Sequence, residues 1–386
     1  MQQVKVNRKA ARRIASGHPW IFASDIVDRG DAEAGAPVIV ASERGRPLAT
    51  AHYSAASQIT LRILSHGTEE IGPEFYSRRL AAAEAYRRRV VCNTEAYRLV
   101  HGEADLLPGL VVDRYADYLV MQTLSQGMDR ARDWIVAALV EQFSPRGIVT
   151  RNDAAVRARE ALPLESSVVS GDVPPTVEFQ MNGLRFQADL LHGQKTGAFL
   201  DQRENYLATA RYARGKALDC FTSAGGFALH MAAVSESVEA LDSSGAALAI
   251  ASRNAALNGI SNVEFKEVDV FAALASYASG RRRFDTVVLD PPAFAKSRSQ
   301  VDDAIRGYKE INLRALRLLG PGGVLVTCSC SQRLPEAEFL ELVAQASLDA
   351  GRQLRVIERR TQARDHPILL TVPETHYLKC LIFEVL

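Results

Sequence analysis

The sequence predicts an α/β fold, in which a parallel sheet carries helices on both faces. From about residue 190, apolar strand-like segments alternate with segments of helical periodicity. The strand-like segments are ALDCF, VEALD, VEFKEVD, FDTVVLD and GGVLVTC, and helical stretches such as GAALAIASRNAALNG lie between them. Because crossover helices return the chain to the same side of the sheet, this alternation predicts successive parallel strands.

The amino-terminal half has a different pattern. Residues 1–72 contain short valine and isoleucine runs at period two, separated by glycine and proline, which predicts a small β barrel or sheet. Residues 73–91 predict a helix, LLPGLVVDRYADYLVMQTL a hairpin, DRARDWIVAALVEQF a helix and RGIVTRND a strand. SSVVSGDVPP predicts a linker ending near Pro175, and VEFQMNGLRFQADL a hairpin that turns at Asn182 and Gly183.

Composition narrows the class of protein. The 386 residues are 47% hydrophobic and 24% charged, as in ordinary globular proteins, and the net charge of +1 does not by itself indicate a nucleic-acid binder. Five scattered cysteines argue for a reducing compartment and against a disulfide framework. The basic start is followed by IASGHPWIFASD, which lacks a continuous apolar region, and no stretch reaches the ~18 apolar residues of a membrane span. We therefore expect a cytoplasmic protein.

Candidate ligand-binding residues follow the predicted strands, because open α/β sheets bind ligands at the carboxyl ends of their strands. The first strand leads into DCFTSAGGF. Its paired glycines, Gly225 and Gly226, let the chain turn tightly and let a ligand approach the start of the next helix. This loop is not G-x-G-x-x-G, and Asp219 would repel a pyrophosphate, so a dinucleotide is disfavoured.

Acidic residues end the next three strands. Asp242 is positioned to accept hydrogen bonds from a ribose diol, and Asp269 from an adenine amino group. Asp290 precedes Pro291 and Pro292, which stiffen the chain after it. Each acid alone is more often a helix cap or a loop residue. Together with the glycine loop, they predict a functional site.

Two cysteines end the fifth strand, in the stretch LVTCSCS. A disulfide between Cys328 and Cys330 lacks suitable geometry, and a zinc site needs about four ligands, for which no paired spacing is present. Two interpretations stay open at this point: buried, inert thiols, or a reactive thiolate at a strand end. Alternation along a strand would point both side chains to the same side.

The order DCFTSAGGF, LDSS, VDVF, LDPPAF and CSCS resembles class I S-adenosylmethionine-dependent methyltransferases that act on RNA. GQKTGAFLDQREN and SGHPWIF narrow the resemblance to the bacterial 23S ribosomal RNA large-subunit methyltransferase I family, which makes 5-methylcytosine. The resemblance covers essentially the whole chain. It implies a PUA domain at residues 1–72, a small α+β domain at residues 73–184 and a Rossmann-like catalytic domain at residues 185–386.

The resemblance also implies a cofactor, a partner and site residues. S-adenosyl-L-methionine is the expected cofactor, and 23S rRNA or a large-subunit precursor the expected partner; no metal or membrane is expected, and a homodimer is left open. Cys330, rather than Cys328, would be the nucleophile, and Asp290 would stabilise the charge on the base. The cofactor-binding residues would be Phe199, Gln202, Arg203, Asp219, Phe221, Ser223, Gly225, Gly226, Phe227, Asp242, Ser243, Asp269, Val270 and Asp290.

The segment before the first strand of the catalytic domain matches the family at Lys195, Thr196, Gly197, Phe199, Asp201, Gln202 and Arg203. It is expected to close over the cofactor, with Phe199 as an apolar wall and Arg203 pairing with the methionine carboxylate or a nearby acid. Gln202 and Arg203 would equally serve as helix caps. The sequence departs from other RNA cytosine methyltransferases at Pro292 and Ala293, where many carry a second cysteine used in product release.

Two other functions stay open from the sequence. Amino or N7 methylation of guanine would use the same DPP motif and needs no thiolate. An RNA-binding adaptor with a vestigial catalytic domain would need no cofactor. The intact acids at the strand ends argue against such decay.

Overall fold

A computed structural model describes residues 1–193, 197–294 and 301–386. They form two compact units. The first comprises Met1–Gln180, Ala188–Gly197 and Arg364–Thr375, and the second comprises Met181–Gln187, Ala198–Ala363 and His376–Leu386. Within the described ranges, no helix is both long and apolar enough to cross a membrane. The domain boundaries expected at residues 72 and 184 stay predictions.

The helices and strands have the following bounds. The helices are α1 (Arg8–Ala15), α2 (Pro73–Val90), α3 (Gln126–Arg130), α4 (Arg132–Phe143), α5 (Arg203–Tyr212), α6 (Gly226–Ala232), α7 (Gly245–Leu257), α8 (Val270–Ser279), α9 (Val301–Leu318) and α10 (Glu336–Asp349). The strands are β1 (Gln2–Val6), β2 (Trp20–Phe22), β3 (Ile26–Asp28), β4 (Pro37–Ser42), β5 (Pro47–Tyr53), β6 (Ile59–Ser65), β7 (Ala96–His101), β8 (Leu110–Tyr115), β9 (Tyr118–Thr123), β10 (Gly147–Asn152), β11 (Glu165–Gly171), β12 (Val177–Met181), β13 (Leu184–Ala188), β14 (Lys216–Cys220), β15 (Ser237–Asp242), β16 (Val263–Glu267), β17 (Phe284–Leu289), β18 (Leu319–Ser329), β19 (Leu354–Arg360) and β20 (Lys379–Val385).

The first β region of the first unit matches the predicted small β fold. Within residues 1–72, all of which the structure describes, six strands form one sheet in the order β2-β6-β5-β4-β1-β3. The helix α1, which the sequence analysis did not predict, begins where the Asn7 side chain accepts a hydrogen bond from the Ala10 amide at 2.9 Å. It buries Ala10 and Ile14, exposes Arg8, Lys9 and Arg12, and pairs Arg13 with the buried Asp25 at 2.7 Å.

A second sheet of the first unit has the strand order β11-β10-β9-β8-β7. The predicted hairpin is confirmed as β8 and β9, with Ala116 at a φ of 50° in the turn. Two predictions were wrong in detail. The helix predicted over residues 129–143 breaks at Ala131 into α3 and α4, and the predicted linker contains β11, which pairs antiparallel with β10. The serines of β11 suggested a loop, but Thr150 contacts Ser167 across the pair at 3.0 Å and the strand lies at a sheet edge.

The hairpin predicted at Asn182 and Gly183 is confirmed as β12 and β13. Both turn residues have positive φ angles, 55° and 85°. These are the angles that a two-residue turn of type I′ requires, and they explain the Asn-Gly pair.

The second unit contains the predicted α/β sheet. In its described residues, seven strands lie in the order β16-β15-β14-β17-β18-β20-β19. Strands β14 to β18 pair in parallel, whereas β20 and β19 add two antiparallel strands that the sequence analysis did not predict. Leu218, Val287, Leu325 and Phe339 belong to its buried core. Since β14 lies between β15 and β17, the strand order reverses beside β14, where α/β sheets bind ligands.

Candidate active site

The glycine loop after β14 is strongly bent. Phe221, Ser223 and Gly225 have φ angles of 67°, 49° and 87°, all in the left-handed region. A Cβ atom on Gly226 would lie 2.3 Å from Cζ of Tyr206, so a larger residue here would displace the buried Tyr206 ring. The loop backbone therefore lies at the carboxyl edge of the sheet, at the start of α6. Because Gly225 and Gly226 have no side chains, a ligand can approach this backbone closely.

Asp219 lies fully buried at the end of β14. Its Oδ2 accepts hydrogen bonds from the Thr222 hydroxyl at 2.6 Å and the Ala228 amide at 3.0 Å. Its Oδ1 has no hydrogen-bond partner within the part of the chain that the structure describes. Burial raises the pKa of Asp219 to about 7; the Asp290 charge adds to the shift, against the two hydrogen bonds. The site therefore holds an acid whose ionisation a cationic ligand group would favour.

Asp242 joins the end of β15 to the glycine loop. Its Oδ2 accepts from the Ser223 amide and its Oδ1 from the Ser244 amide, each at 2.9 Å. The carboxylate is half-buried, and Ser243 beside it is exposed. Each carboxylate oxygen can accept more than one hydrogen bond, so these contacts orient Asp242 without using up its capacity.

Three other residues named from the sequence have structural contacts. Asp269 is exposed and accepts a hydrogen bond from the Ala272 amide at 2.7 Å, capping α8. Val270 is buried. Phe227 is also buried and packs edge-on against Tyr206, with 4.7 Å between ring centroids. Their roles in cofactor binding stay predictions.

Asp290 follows β17 and is half-buried. The Gln202 side chain donates to its Oδ1 at 2.9 Å, and the Asn205 side chain donates to Gln202 Oε1 at 2.7 Å. The Asp290 amide contacts the Cys220 carbonyl at 3.3 Å, across the neighbouring strand. Gln202 therefore orients the Asp290 carboxylate, a contact that the sequence analysis did not anticipate.

The segment expected to close over the cofactor is described in part. Lys195 and Thr196 lie outside the described residues. Phe199 is half-buried, and its carbonyl accepts from the Tyr206 hydroxyl at 3.3 Å. Arg203 is buried at the start of α5.

The two cysteines of LVTCSCS differ in environment. Strand β18 ends at Ser329, so Cys330 lies beyond the paired strand and is half-exposed. Cys328 is fully buried and lies opposite Cys380 of β20. Burial raises the pKa of the Cys328 thiol well above its ordinary value, and the neighbouring Cys380 and Asp290 add to the shift. Cys330 is therefore the accessible thiol of the pair.

The Tyr308 hydroxyl lies at the end of β18. It accepts a hydrogen bond from the Ser329 hydroxyl at 3.1 Å. Burial raises the pKa of Tyr308, and the negative charges of Cys330 and Asp290 both raise it further. Asp290 follows Leu289, which pairs with Thr327 of β18, and Cys330 follows the last residue of that strand. The ends of β17 and β18 thus bring together the two residues that the sequence analysis assigned to catalysis.

Lys379, at the start of β20, was not singled out from the sequence. It is buried, and its Nζ donates to the carbonyls of Ser331 at 2.5 Å and Tyr377 at 2.9 Å. Burial lowers its pKa to about 8, against the opposing effect of the Cys330 charge. A lysine opening the apolar strand KCLIFEV is the signal that could have drawn attention to it.

The family models decide the class of protein. A PUA-like domain matches residues 4–66, and an S-adenosylmethionine-dependent methyltransferase matches residues 154–384. The chain belongs to the S-adenosylmethionine-dependent methyltransferase family. The methyltransferase is 40% identical over 394 residues to a Tolumonas auensis protein and 41% identical over 393 residues to a Shewanella amazonensis protein. Both relatives are named ribosomal RNA large subunit methyltransferase I, and each comparison covers 99% of both chains.

A solved structure extends the comparison to the fold. The crystal structure of SMU.776 complexed with SAH matches this methyltransferase with a TM-score of 0.86 and 18% identity, and the match covers 100% of both chains. The predicted combination of an α/β methyltransferase fold with an amino-terminal PUA-like β domain is confirmed. S-adenosyl-L-methionine is the cofactor of this methyltransferase. The unpartnered buried oxygen of Asp219 and the bent glycine loop fit such a ligand, which carries a cationic methionine portion. No cluster of potential metal ligands occurs within the described residues.

Proposed function

We propose that this methyltransferase adds a methyl group to carbon 5 of a cytosine in 23S rRNA, with Cys330 as a covalent nucleophile. The observation that carries the proposal is the half-exposed Cys330, which lies beyond the end of β18 and beside the end of β17, the strand that Asp290 follows. The relatives named ribosomal RNA large subunit methyltransferase I support a ribosomal RNA substrate. The PUA-like match at residues 4–66 supports RNA as the partner.

The thiolate makes carbon 5 reactive. Cys330 adds to carbon 6 of the cytosine, forming an S–C6 bond and moving the C5–C6 π electrons so that carbon 5 becomes nucleophilic. S-adenosylmethionine supplies an electrophilic methyl group. Carbon 5 takes the methyl group, whose bond to sulfur breaks with its electrons left on sulfur, so that S-adenosylhomocysteine is the leaving group. Carbon 5 then loses its proton to a base. The electrons of that C–H bond restore the C5–C6 double bond and expel the Cys330 thiolate.

Asp290 acts on the cytosine ring. Its carboxyl group contacts the N3 and amino edge of the base: the amino group donates to one carboxyl oxygen, and the carboxyl proton is donated to N3, which gains negative charge when the thiolate adds. The Gln202 amide, 2.9 Å from Asp290 Oδ1, holds the carboxylate in orientation. Pre-orientation matters because a donor or acceptor that is already in place stabilises the transition state without reorganising. A cytosine within paired RNA must first be unstacked to reach this edge.

The cofactor is held by the glycine loop and the strand-end acids. Asp242 accepts hydrogen bonds from the ribose diol, in addition to its two loop amides. Gly225 and Gly226 allow close approach of the adenosylmethionine to the loop backbone. The unpartnered Oδ1 of Asp219 accepts from the ammonium of the methionine portion. Phe199 contributes an apolar wall, and Arg203 a positive charge near the methionine carboxylate.

The test of the proposed reaction is the identity of the product. The purified protein and S-adenosylmethionine are incubated with 23S rRNA from a strain that lacks the gene, and the nucleosides are analysed by mass spectrometry. We expect 5-methylcytidine at one position, and none with Cys330→Ala. A methylated guanosine, formed equally by the Cys330→Ala variant, would instead support N-methylation. If calorimetry detected no binding of S-adenosylmethionine, the result would support an RNA-binding adaptor with a vestigial catalytic domain.

The raised pKa of Asp219 predicts a pH dependence of cofactor binding. In the free protein this carboxyl group ionises near pH 7. A cationic ammonium beside it favours the ionised form, so affinity for S-adenosylmethionine should increase as pH rises, by about tenfold between pH 6 and pH 7.5. Isothermal titration calorimetry across this range measures the effect.

The matched control is Asp219→Asn, which keeps the side-chain volume and removes the titration. Any pH dependence that comes from the cofactor's own amine persists in this variant, so the difference between the two proteins isolates Asp219. The same pH slope in both proteins would contradict the role given to Asp219.

A further inference from the structure

Lys379 is a buried cation beside the end of β18. Its backbone pairs with Ser329 in antiparallel register, and its side chain reaches beyond that strand to the Ser331 carbonyl, 2.5 Å from Nζ. The second acceptor is the Tyr377 carbonyl at 2.9 Å. Both acceptors are neutral, and the residue is only 4% exposed.

A buried ammonium without an anionic partner is costly, because its charge loses the solvation of water. Within the part of the chain that the structure describes, no carboxylate lies within ion-pair distance of Lys379. Glu336, at the start of α10, acts on it from further away and is itself paired with Arg359 of β19 at 2.5 Å. Cys330 immediately precedes Ser331, whose carbonyl lies 2.5 Å from Nζ, and a negative charge on the Cys330 sulfur would act on Lys379.

The charged groups around Cys330 have opposing effects on the ionisation of its thiol. Asp290 follows β17, the strand beside β18, and a negative charge near a cysteine disfavours its thiolate. Lys379 lies on the side of β20 and favours it. A nearby cation is a general means of stabilising a cysteine thiolate.

We propose that Lys379 is a positioning residue for the reaction, which holds the turn that carries Cys330 and supplies positive charge to its thiolate. This inference rests on the proposed role of Cys330 as nucleophile. Two features combine in the one side chain. The hydrogen bond to the Ser331 carbonyl fixes the backbone immediately after Cys330, and the charge acts on the thiolate itself.

The test measures the thiol directly and needs no RNA. The full-length protein is alkylated with iodoacetamide at a series of pH values, and peptide mass spectrometry gives the rate at Cys330. Lys379→Met, which removes the charge with similar volume, should raise the pKa of the Cys330 thiol and lower its alkylation rate at pH 7 by about tenfold. Lys379→Arg should restore most of the rate. The exposed Cys92 serves as the reference thiol, whose rate should not change.

A second uncharged variant and a binding measurement serve as controls for misfolding. Lys379→Gln keeps a donor for the Ser331 carbonyl and loses the charge, and S-adenosylmethionine binding checks the fold of every variant. We expect both uncharged variants to lower kcat with little change in the KM for RNA. If the Cys330 thiol had the wild-type pKa in both Lys379→Met and Lys379→Gln, Lys379 would not have the proposed role. The proposed function fails separately, if the wild-type protein forms no adduct between Cys330 and a 5-fluorocytosine substrate.

Discussion

Replacing Cys330 with serine should lower the single-turnover rate of methyl transfer to RNA by more than about 10⁴-fold. A hydroxyl group does not add to carbon 6 as a thiolate does. The half-exposed position of Cys330 beyond β18 makes it accessible to a substrate, whereas Cys328 is fully buried. S-adenosylmethionine affinity should be unchanged, since the serine leaves the glycine loop untouched. Transfer of labelled methyl groups to 23S rRNA measures the loss.

Covalent trapping tests which thiol reacts. With 5-fluorocytosine at the target position, the wild-type protein should form an adduct that survives denaturation, because fluorine does not leave as the proton does. The adduct should map to the peptide that contains Cys330. Cys328→Ser, the matched control two residues away, should still form it. Trapping that was lost in Cys328→Ser and kept in Cys330→Ser would show that the other thiol is the nucleophile.

Asp290→Asn should slow both trapping and methyl transfer by about 10²–10³-fold, the usual cost of losing one electrostatic contact to a transition state. The amide has nearly the same size and can still accept from the Gln202 side chain, so the change removes the acidic group rather than volume. The expected loss therefore reports on the charge formed when the thiolate adds. The rate of adduct formation with 5-fluorocytosine RNA is the measurement.

Asp285→Asn provides the control for this substitution. Asp285 belongs to the same strand, β17, but lies at its opposite end, where it accepts from the Lys216 amide at 2.8 Å. Trapping by Asp285→Asn should match that of the wild-type protein. If Asp290→Asn also trapped at the wild-type rate, Asp290 would have no role in the addition step.

The sequence by itself determined the features that depend on short stretches of chain. The alternation of apolar strands and helical segments predicted the parallel part of the second unit's sheet, since each periodicity is a local property. The Asn182-Gly183 pair predicted its hairpin, because both residues tolerate the positive φ angles found there. The acids and the Cys330 thiol could be placed at one edge, because the carboxyl ends of parallel strands meet.

Only the tertiary structure decided the features that depend on remote partners. The serine-rich residues of β11 form a strand because they pair antiparallel with β10. Strand β20 likewise joins the sheet by pairing antiparallel with β18. Cys328 and Cys330 are two residues apart in sequence, yet burial against β20 separates their environments. Lys379 contacts a carbonyl 48 residues away in sequence. The burial and the pKa of a side chain depend on whatever surrounds it in space, and no local pattern carries that information.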